Sequence, residues 1–267
     1  MRCSVANRDC VLAIPLRAIS SHALVALPAL MLVLAWQWTS SSNGAVKFAV
    51  GAPFELLVSA HHHLLSAAYW SDIGLTVSAA FVGFCVGTLL GGLVGLATAL
   101  NPIVQRCSKL YIAAFASVPV VVFSPLLVLL VGIGWSAKVW LAVLAAGIVA
   151  TQTATFGASE AMTRYGDRFR RLGATQRTLM QYVLLPGAFN SVLDGIRGGI
   201  GAALVAVFLG EFINSEAGLG HFVLEASGVY RMNDVWFGVI TFAVISLTLS
   251  SGIEWSCKRF LTNRLRS

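Results

Sequence analysis

The sequence predicts an all-α, polytopic membrane protein with about six transmembrane helices, and three observations lead to this prediction. Hydrophobic residues make up 57% of the 267 residues and charged residues only 11%, whereas a soluble domain carries roughly 25% charged residues. Several uncharged stretches reach the ~20 residues that a helix needs to cross a hydrocarbon core. Basic residues are concentrated between these stretches. A chain of this composition cannot form the polar surface of a water-soluble protein.

The predicted boundaries follow the uncharged stretches. A cytoplasmic N-terminal segment of residues 1–20 precedes a transmembrane domain of residues 21–256, and a basic cytoplasmic tail covers residues 257–267. The predicted spans lie at about 21–38, 74–100, 110–131, 138–158, 189–211 and 235–255. The half-apolar stretch between Pro53 and Tyr69 is too interrupted to span and is predicted to be an interfacial helix.

The distribution of Lys and Arg predicts the orientation, because short basic loops stay in the cytoplasm. With six spans, the N-terminus, the Arg106/Lys109 loop, the arginine-rich segment of residues 160–186 and the C-terminal tail share one side. The opposite side receives only Lys47, Lys138 and Arg231. Both termini of this multi-pass membrane protein are therefore expected in the cytoplasm. We attribute the formal net charge of +7 to the basic residues that set the membrane topology and not to nucleic-acid binding.

Glycines recur at every fourth residue of the second predicted span, at Gly83, Gly87, Gly91 and Gly95. This spacing places bare backbone along one helix face, where another helix is expected to pack closely. Flexibility without close packing is the alternative interpretation.

Two prolines interrupt the third predicted span. Pro119 and Pro125 remove backbone donors and bend a helix, which is tolerated where neighbouring helices or a cavity satisfy the freed carbonyls. These prolines and Ser124 are therefore candidates for lining a pathway or gate.

Glu211 is a further candidate, because a carboxylate within a span is costly and suggests a role. Gate or loop-anchoring contacts are expected there, since a negative charge would repel an anionic solute. Asp194 and Arg197 are three residues apart on one helix face and are expected to pair.

Sites for other chemistry are not expected. The five cysteines are scattered without ligand spacing. The consecutive His61, His62 and His63 would point in different directions on a helix, which disfavours one shared metal. No G-x-x-x-x-G-K-[ST] motif is present, so the chain is not expected to bind ATP, and no nucleophile with an ordered base partner is found.

The arginine-rich segment keeps an apolar pattern, with Phe169, Leu172, Leu179 and Val183 among its charged residues. Gly173 lies in the middle and Pro186 at the end, which predicts a helix, a turn and a second helix. Such helices either dock against a partner or lie on anionic lipid as a surface hairpin.

At this segment the sequence resembles the inner-membrane permeases of binding-protein-dependent ABC importers. Their EAA loop has E-A-A, then Gly after three residues, then I-x-L-P after nine more. Here the glycine is Gly173 and the terminal motif is Val183, Leu184, Leu185 and Pro186, whereas the E-A-A positions hold Asp167, Arg168 and Phe169. The acid is kept and both alanines are lost.

The resemblance extends over nearly all of residues 72–264. The matching motifs are Ser117-Val-Pro119, Pro125-Leu-Leu, Gly132-Ile-Gly134, Leu172-Gly173-Ala174, Gly195-Ile-Arg197, Gly210-Glu211-Phe212 and Gly218-Leu-Gly220. They are similar to the nitrate, sulfonate and taurine branch.

This resemblance implies a type I ABC importer-like permease fold that works as a pair, expected to be a homodimer. It implies a coupling loop that docks on a separate ATPase subunit, which would hold ATP and Mg²⁺, and a periplasmic binding protein that delivers the solute. The implied coupling residues are Asp167, Arg168, Leu172, Gly173, Ala174, Val183, Leu185 and Pro186. The chain itself would be a transport subunit in contact with membrane lipid, without enzymatic activity or a cofactor of its own.

An ion-coupled secondary transporter and a membrane-embedded enzyme are the alternative functions. The first usually shows repeats and charges near the middle of the bilayer, and the second needs clustered Asp, His or Ser within the spans. Neither pattern is apparent in the sequence. The expected solute is a small anion such as a sulfonate, taurine or nitrate, since that is what the resembling branch transports.

Overall fold

A computed structural model describes residues 21–42, 44–98 and 100–264, which contain no β-strand. The helices are α1 (Ser21–Ser42), α2 (Gly44–Val50), α3 (Pro53–Leu64), α4 (Ala67–Thr98), α5 (Pro102–Ser117), α6 (Ser124–Val131), α7 (Trp135–Ala161), α8 (Asp167–Arg171), α9 (Gln176–Leu179), α10 (Leu185–Asn214), α11 (Leu219–Gly228) and α12 (Met232–Arg264). A 3₁₀ turn covers Val120–Phe123, and π-helical turns cover Met162–Gly166 and Met180–Leu184. The fold is all-α, as predicted.

Within the described residues, four continuous helical stretches are long and apolar enough to cross a membrane: Ala67–Thr98, Trp135–Arg171, Gln176–Asn214 and Met232–Arg259. Two helices flanking a short break, Ile103–Ser117 and Val120–Val131, meet the same criterion together, which makes five if this bent pair is one span. The predicted first span corresponds to α1, a helix of 22 residues that lies outside this count. The predicted segment of residues 1–20 and the end of the tail, residues 265–267, lie outside the described residues.

Helices α4, α7 and α10 pack together around a core of small and branched side chains. Its fully buried members are Ala79, Ala80, Ala142, Ala146, Ile200, Ala203, Leu204 and Val207. Alanines dominate the core because lipid tails are as apolar as leucine, so helices in a membrane gain mainly from close van der Waals contact. The large apolar side chains lie mostly outside this core. Leu89, Leu129 and Leu247 are examples of exposed residues on three different helices.

The glycine strip of α4 faces α7. A Cβ atom added at Gly87 would lie 2.5 Å from the Val143 carbonyl oxygen, and one added at Gly95 would lie 2.7 Å from the Thr151 carbonyl oxygen. Gly83 and Gly91 meet α7 in the same way. Only glycine allows the two backbones to approach this closely.

The third predicted span differs most from its prediction. It starts at Pro102, where the Asn101 side chain accepts a hydrogen bond of 2.9 Å from the backbone N–H of Ile103 and caps α5. Arg106 and Lys109, which were predicted to lie in a loop, therefore lie within α5. The helix ends before Pro119, because proline forces the preceding Val118 into extended backbone. The two halves of this segment then meet at an angle of 83°.

Other boundaries also shift. The second span begins at Ala67, seven residues before the predicted residue 74, directly after α3, which occupies the predicted interfacial segment. The stretch between the fifth and sixth predicted spans contains α11, and α12 continues through residues 257–264 of the predicted tail. Continuous helix is favoured in these places because every backbone polar group near lipid needs an internal partner.

A substitution at the glycine strip tests this packing. We expect Gly87→Ala to destabilise the protein by about 1–3 kcal/mol, because a core already in backbone contact must move to admit a methyl group. The matched control is Gly92→Ala on the same helix, where an added Cβ meets nothing within 4 Å. The measurement is the thermal unfolding midpoint of detergent-purified protein. Equal midpoints for the two variants would contradict close packing at Gly87.

Candidate functional site

The arginine-rich segment forms a helical hairpin at the end of the bundle where α7 ends and α10 begins. Its first arm is α8, which continues α7 through the π-helical turn Met162–Gly166, and its second arm is α9. Leu172 at the tip is 83% exposed. Arg168, Arg170 and Arg171 beside it are exposed as well. The hairpin therefore presents one apolar side chain surrounded by positive charge.

Gly173 makes the turn of this hairpin possible. Its φ is +78°, a conformation that side-chain-bearing residues rarely adopt. The backbone N–H of Gly173 donates to the Arg170 carbonyl at 3.0 Å, and that of Ala174 donates to the Phe169 carbonyl at 3.0 Å. These two bonds form a Schellman motif that ends α8. Thr175 then caps α9 by accepting a hydrogen bond from the Thr178 N–H.

The underside of the hairpin is anchored to the bundle. Val183, Leu184 and Leu179 are buried with Met162 of the first arm and Ala188 of α10. Phe169 and Ala174 pack against the same cluster. Leu185 and Pro186 lie in the first turn of α10 and are exposed. Of the predicted coupling residues, Val183 therefore lies in this buried cluster and Ala174 packs against it. Four others lie on the free surface of the hairpin: Asp167, Arg168, Leu172 and Gly173.

Glu211 lies at the opposite end of α10 in a polar cluster. Its side chain is fully buried and accepts hydrogen bonds from Thr76 at 2.8 Å and from the Gly220 N–H at 3.0 Å. The Nζ atom of Lys138, itself only 6% exposed, lies 3.2 Å from the carboxylate and donates to the Ala217 carbonyl at 2.6 Å. The carboxylate is therefore paired and hydrogen-bonded from three elements.

This cluster ties the loop between α10 and α11 to the bundle. The Gly218 N–H donates to Asp72 at 2.8 Å, and the Leu219 N–H donates to Thr76 at 2.9 Å. We call the set Asp72, Thr76, Lys138 and Glu211 the loop anchor. Sequence reasoning identified only Glu211. The signal it missed was Lys138, a lysine at the start of an apolar span, where an ionisable residue requires a partner.

The structure separates the other predicted pathway residues. Ser124 is buried, and its Oγ accepts a hydrogen bond of 3.5 Å from Asn214 at the end of α10. Pro119 and Pro125 flank the 3₁₀ turn Val120–Phe123, where the third span bends. Asp194 and Arg197 form the expected ion pair, at 3.2 Å.

Residues 87–262 match the model of the binding-protein-dependent transport system inner membrane component. The chain belongs to this family. The match runs from the glycine strip of α4 to the C-terminal part of α12, so it contains the hairpin and, of the loop anchor, Lys138 and Glu211. The protein is thus a permease subunit of an ABC importer and a multi-pass inner-membrane protein.

Curated relatives support this assignment. The permease is 27% identical to the taurine transport system permease protein TauC of Escherichia coli over 200 residues, which cover 74% of this chain and 72% of TauC. It is 25% identical to the formylaminopyrimidine transport permease protein ThiX of Halalkalibacterium halodurans, covering 86% of this chain and 94% of ThiX. The putative aliphatic sulfonates transport permease protein SsuC of Bacillus subtilis is 23% identical to the permease, and the match covers 85% of this chain and 82% of SsuC.

Solved structures show the same fold. The permease matches a chain of an inward-facing MetNI methionine ABC transporter with a TM-score of 0.55 and 20% identity, covering 73% of this chain and 94% of that chain. A chain of an amino acid ABC transporter crystallised with histidines gives a TM-score of 0.54 and 21% identity, and the match covers 71% of this chain and 91% of that chain.

A second polar region of the permease lies at the end of the bundle opposite the hairpin. A cavity of about 940 Å³ between α3 and the start of α12 is lined by Lys47, Glu55, His63 and Asp234, among others. His63 Nε2 is 3.1 Å from Asp234, and the hydrogen bond from Lys47 holds the pKa of Glu55 below its usual value. His61 and His62 do not join them in a metal site, and the described residues contain no group of three metal ligands.

Removing one partner of the loop anchor tests its importance. We expect Lys138→Met to lower the stability of the permease by about 3–5 kcal/mol, because it leaves the buried Glu211 without its cation. The double variant Lys138→Met/Glu211→Gln should recover part of this loss, because no charge then remains buried. The measurement is thermal unfolding in detergent.

The control for this experiment is Arg197→Gln. It breaks an ion pair whose Asp194 side chain is 63% exposed, so the expected cost is below ~1 kcal/mol. If Lys138→Met and Arg197→Gln unfold at the same temperature, the anchor contributes no more than an exposed pair.

Proposed function

We propose that this permease imports a small anion of the sulfonate, taurine or nitrate class, which a periplasmic binding protein delivers. The main support is its similarity to permeases named for taurine and aliphatic sulfonates, over at least 72% of each relative's length. A second candidate is a neutral heterocyclic solute, which is favoured by the similarity to ThiX and to the riboflavin permease RibX of Chloroflexus aurantiacus.

The substrate proposal is tested by reconstitution. The permease, its ATPase subunit and its binding protein are assembled in proteoliposomes, and ATP-dependent uptake of labelled taurine and labelled riboflavin is measured. We expect taurine or another alkanesulfonate to be taken up only when the binding protein is present. Uptake of riboflavin without uptake of any sulfonate would favour the second candidate. Proteoliposomes without ATP control for leakage of the labelled solute.

We further propose that the permease works as a homodimer with both termini in the cytoplasm. A single copy would supply half of a translocation pathway, and the residues near the bend of the third span, Pro119, Ser124 and Pro125, would line it. Glu211 would hold the loop before α11 at the outer end of that pathway. The chain is proposed to have no enzymatic activity, since ATP and Mg²⁺ would bind to the partner ATPase.

The hairpin of α8 and α9 is proposed to be the coupling element that docks on the ATPase. Leu172 supports this proposal, because an apolar tip that is 83% exposed and surrounded by arginines gains free energy when a partner groove covers it. The buried cluster beneath the tip also supports the coupling role, because a movement at the tip would be transmitted to α7 and α10. Asp167 would stand at the acidic position of the family's EAA loop.

Gly173 provides a sharp test of coupling. An added Cβ at Gly173 meets nothing within 4 Å in this chain, so the folding cost is limited to the positive φ, at roughly 1 kcal/mol. We expect Gly173→Asp to insert normally but to lose co-purification of the ATPase and at least tenfold in transport, because the new side chain would meet the docked partner.

Arg170→Ala is the matched control for the Gly173 variant. An exposed charge pair is worth less than ~1 kcal/mol, so this variant should keep most of its transport and ATPase binding. The measurement is solute uptake together with ATPase co-purification from membranes. Full transport and full ATPase binding by Gly173→Asp would show instead that the hairpin rests on lipid.

A further inference from the structure

A second cavity, of about 530 Å³, lies beside the hairpin between α5 and the end of α7. Six residues line it: Lys109, Phe156, Ser159, Glu160, Thr163 and Arg164. We call it the headgroup cavity. Phe156 is the apolar residue of this lining, and it is 69% exposed. This change from exposed aromatic to charged residues within two helical turns is typical of the interface between hydrocarbon and headgroups.

The charged residues of this cavity lack ion-pair partners in the described part of the chain. Lys109, Glu160 and Arg164 form no salt bridge there, although most other charged residues near the bundle ends do. Arg164 makes only a long cation–π contact, with its guanidinium carbon 6.0 Å from the centre of the Tyr165 ring. Two unpaired cations and one unpaired carboxylate therefore face one cavity. Their complement is a ligand with an anionic group and a cationic group.

Two hydroxyl groups add hydrogen-bonding capacity of both kinds. Ser159 is 8% exposed, and its Oγ accepts a hydrogen bond of 2.5 Å from Gln105, so its own hydrogen remains available to donate. Thr163 Oγ1 donates its hydrogen to the Ser159 carbonyl at 2.9 Å, so its lone pairs remain available to accept. One hydroxyl suits a phosphate oxygen and the other suits an ammonium group.

An apolar groove of about 300 Å³ lies farther into the bundle on the same pair of helices, α5 and α7, with α4 as its third wall. Its apolar lining includes Leu90, Val94, Ile112, Phe115, Leu144 and Ile148. A small hydrophilic solute gains nothing from such a surface. A hydrocarbon chain gains contact along its whole length.

The cavity and the groove are aligned. Lys109 and Ile112 are three residues apart and share one face of α5. Ile148 and Ser159 are eleven residues apart, about three turns, so they share one face of α7 at a separation of about 16 Å. Half of a hydrocarbon core is about 15 Å thick. A lipid with its headgroup in the cavity would therefore have a chain of suitable length beside the groove.

We propose that this site binds one phospholipid of the surrounding bilayer with a phosphoethanolamine headgroup. Lys109, Arg164 and the Ser159 hydroxyl hold the phosphate, Glu160 and the Thr163 oxygen hold the ammonium group, and one acyl chain fills the groove. The ammonium group supplies the N–H donors that Glu160 lacks within the chain. Basic pockets between membrane helices bind lipid headgroups in this way. The bound lipid would lie directly against the π-helical turn that leads into the hairpin.

Lipid retention tests the proposal without measuring transport. The full-length permease is reconstituted in bilayers of equal parts phosphatidylethanolamine, phosphatidylglycerol and phosphatidylcholine, purified in mild detergent, and its retained lipids are quantified by mass spectrometry. We expect phosphatidylethanolamine in at least threefold excess over phosphatidylcholine, whose methylated ammonium cannot donate to Glu160. Glu160→Gln should remove this excess, and Lys109→Gln/Arg164→Gln should lower the retention of all three lipids.

Two further variants separate the site from general effects. Arg106→Gln removes one positive charge from an exposed position of α5 outside the cavity, and it should leave lipid retention unchanged. Leu144→Trp fills the groove and should lower retention of every lipid without changing the headgroup preference. All variants are compared as monodisperse fractions with unchanged thermal midpoints in lipid-free detergent.

Four results would overturn the proposal. Equal retention of phosphatidylethanolamine and phosphatidylcholine would show no headgroup recognition, and an excess of phosphatidylglycerol would show a site for anions only. An equal loss in Arg106→Gln would show general surface attraction. If inorganic phosphate raised the thermal midpoint as much as phosphatidylethanolamine did, the site would be one for a free anion.

Discussion

The backbone contact between α4 and α7 is the constraint on which the rest of the structure depends. In lipid, leucine-rich helix faces gain little from meeting each other, because the acyl chains that they leave are equally apolar. Association therefore requires close approach, and the glycines of α4 permit it by presenting bare backbone to the α7 carbonyls. Helix α10 joins this pair through buried alanines and branched residues such as Ile200 and Val207. The large side chains remain available for lipid.

Close packing of three helices also determines where charge can be buried. Lys138 stands in the first turns of α7 and Glu211 near the end of α10, and the two meet because these antiparallel helices pack along most of their length. The carboxylate takes its other hydrogen bonds from α4 and from the first turn of α11. A buried ion pair of this kind costs desolvation energy, which additional hydrogen bonds must offset. Its effect is to fix one loop geometry at the end of the bundle opposite the hairpin.

The sequence allowed local features to be predicted better than long-range ones. The spacing of Gly83 to Gly95 and the position of Gly173 depend on backbone sterics, which act within one helix face or one turn, and such features can be read from a single segment. Lys138 and Glu211 are 73 residues apart, and nothing in either segment identifies the other as its partner. A bend at the prolines of the third span was predicted, but its angle of 83° was not. Proline indicates that a helix ends, but the direction of the following helix depends on packing against α7 and α10.

The arrangement of the hairpin explains how a short segment can connect to the whole bundle. Each arm joins its core helix through a π-helical turn, Met162–Gly166 on one side and Met180–Leu184 on the other, and turns of this type occur frequently at functional sites. Residues of both turns, Met162 and Val183, lie in one buried cluster with Ala158 of α7 and Ala188 of α10. The two arms therefore cannot move separately without opening that cluster. A displacement of the exposed tip would act on α7 and α10 together, and the loop anchor joins these same two helices at their other end.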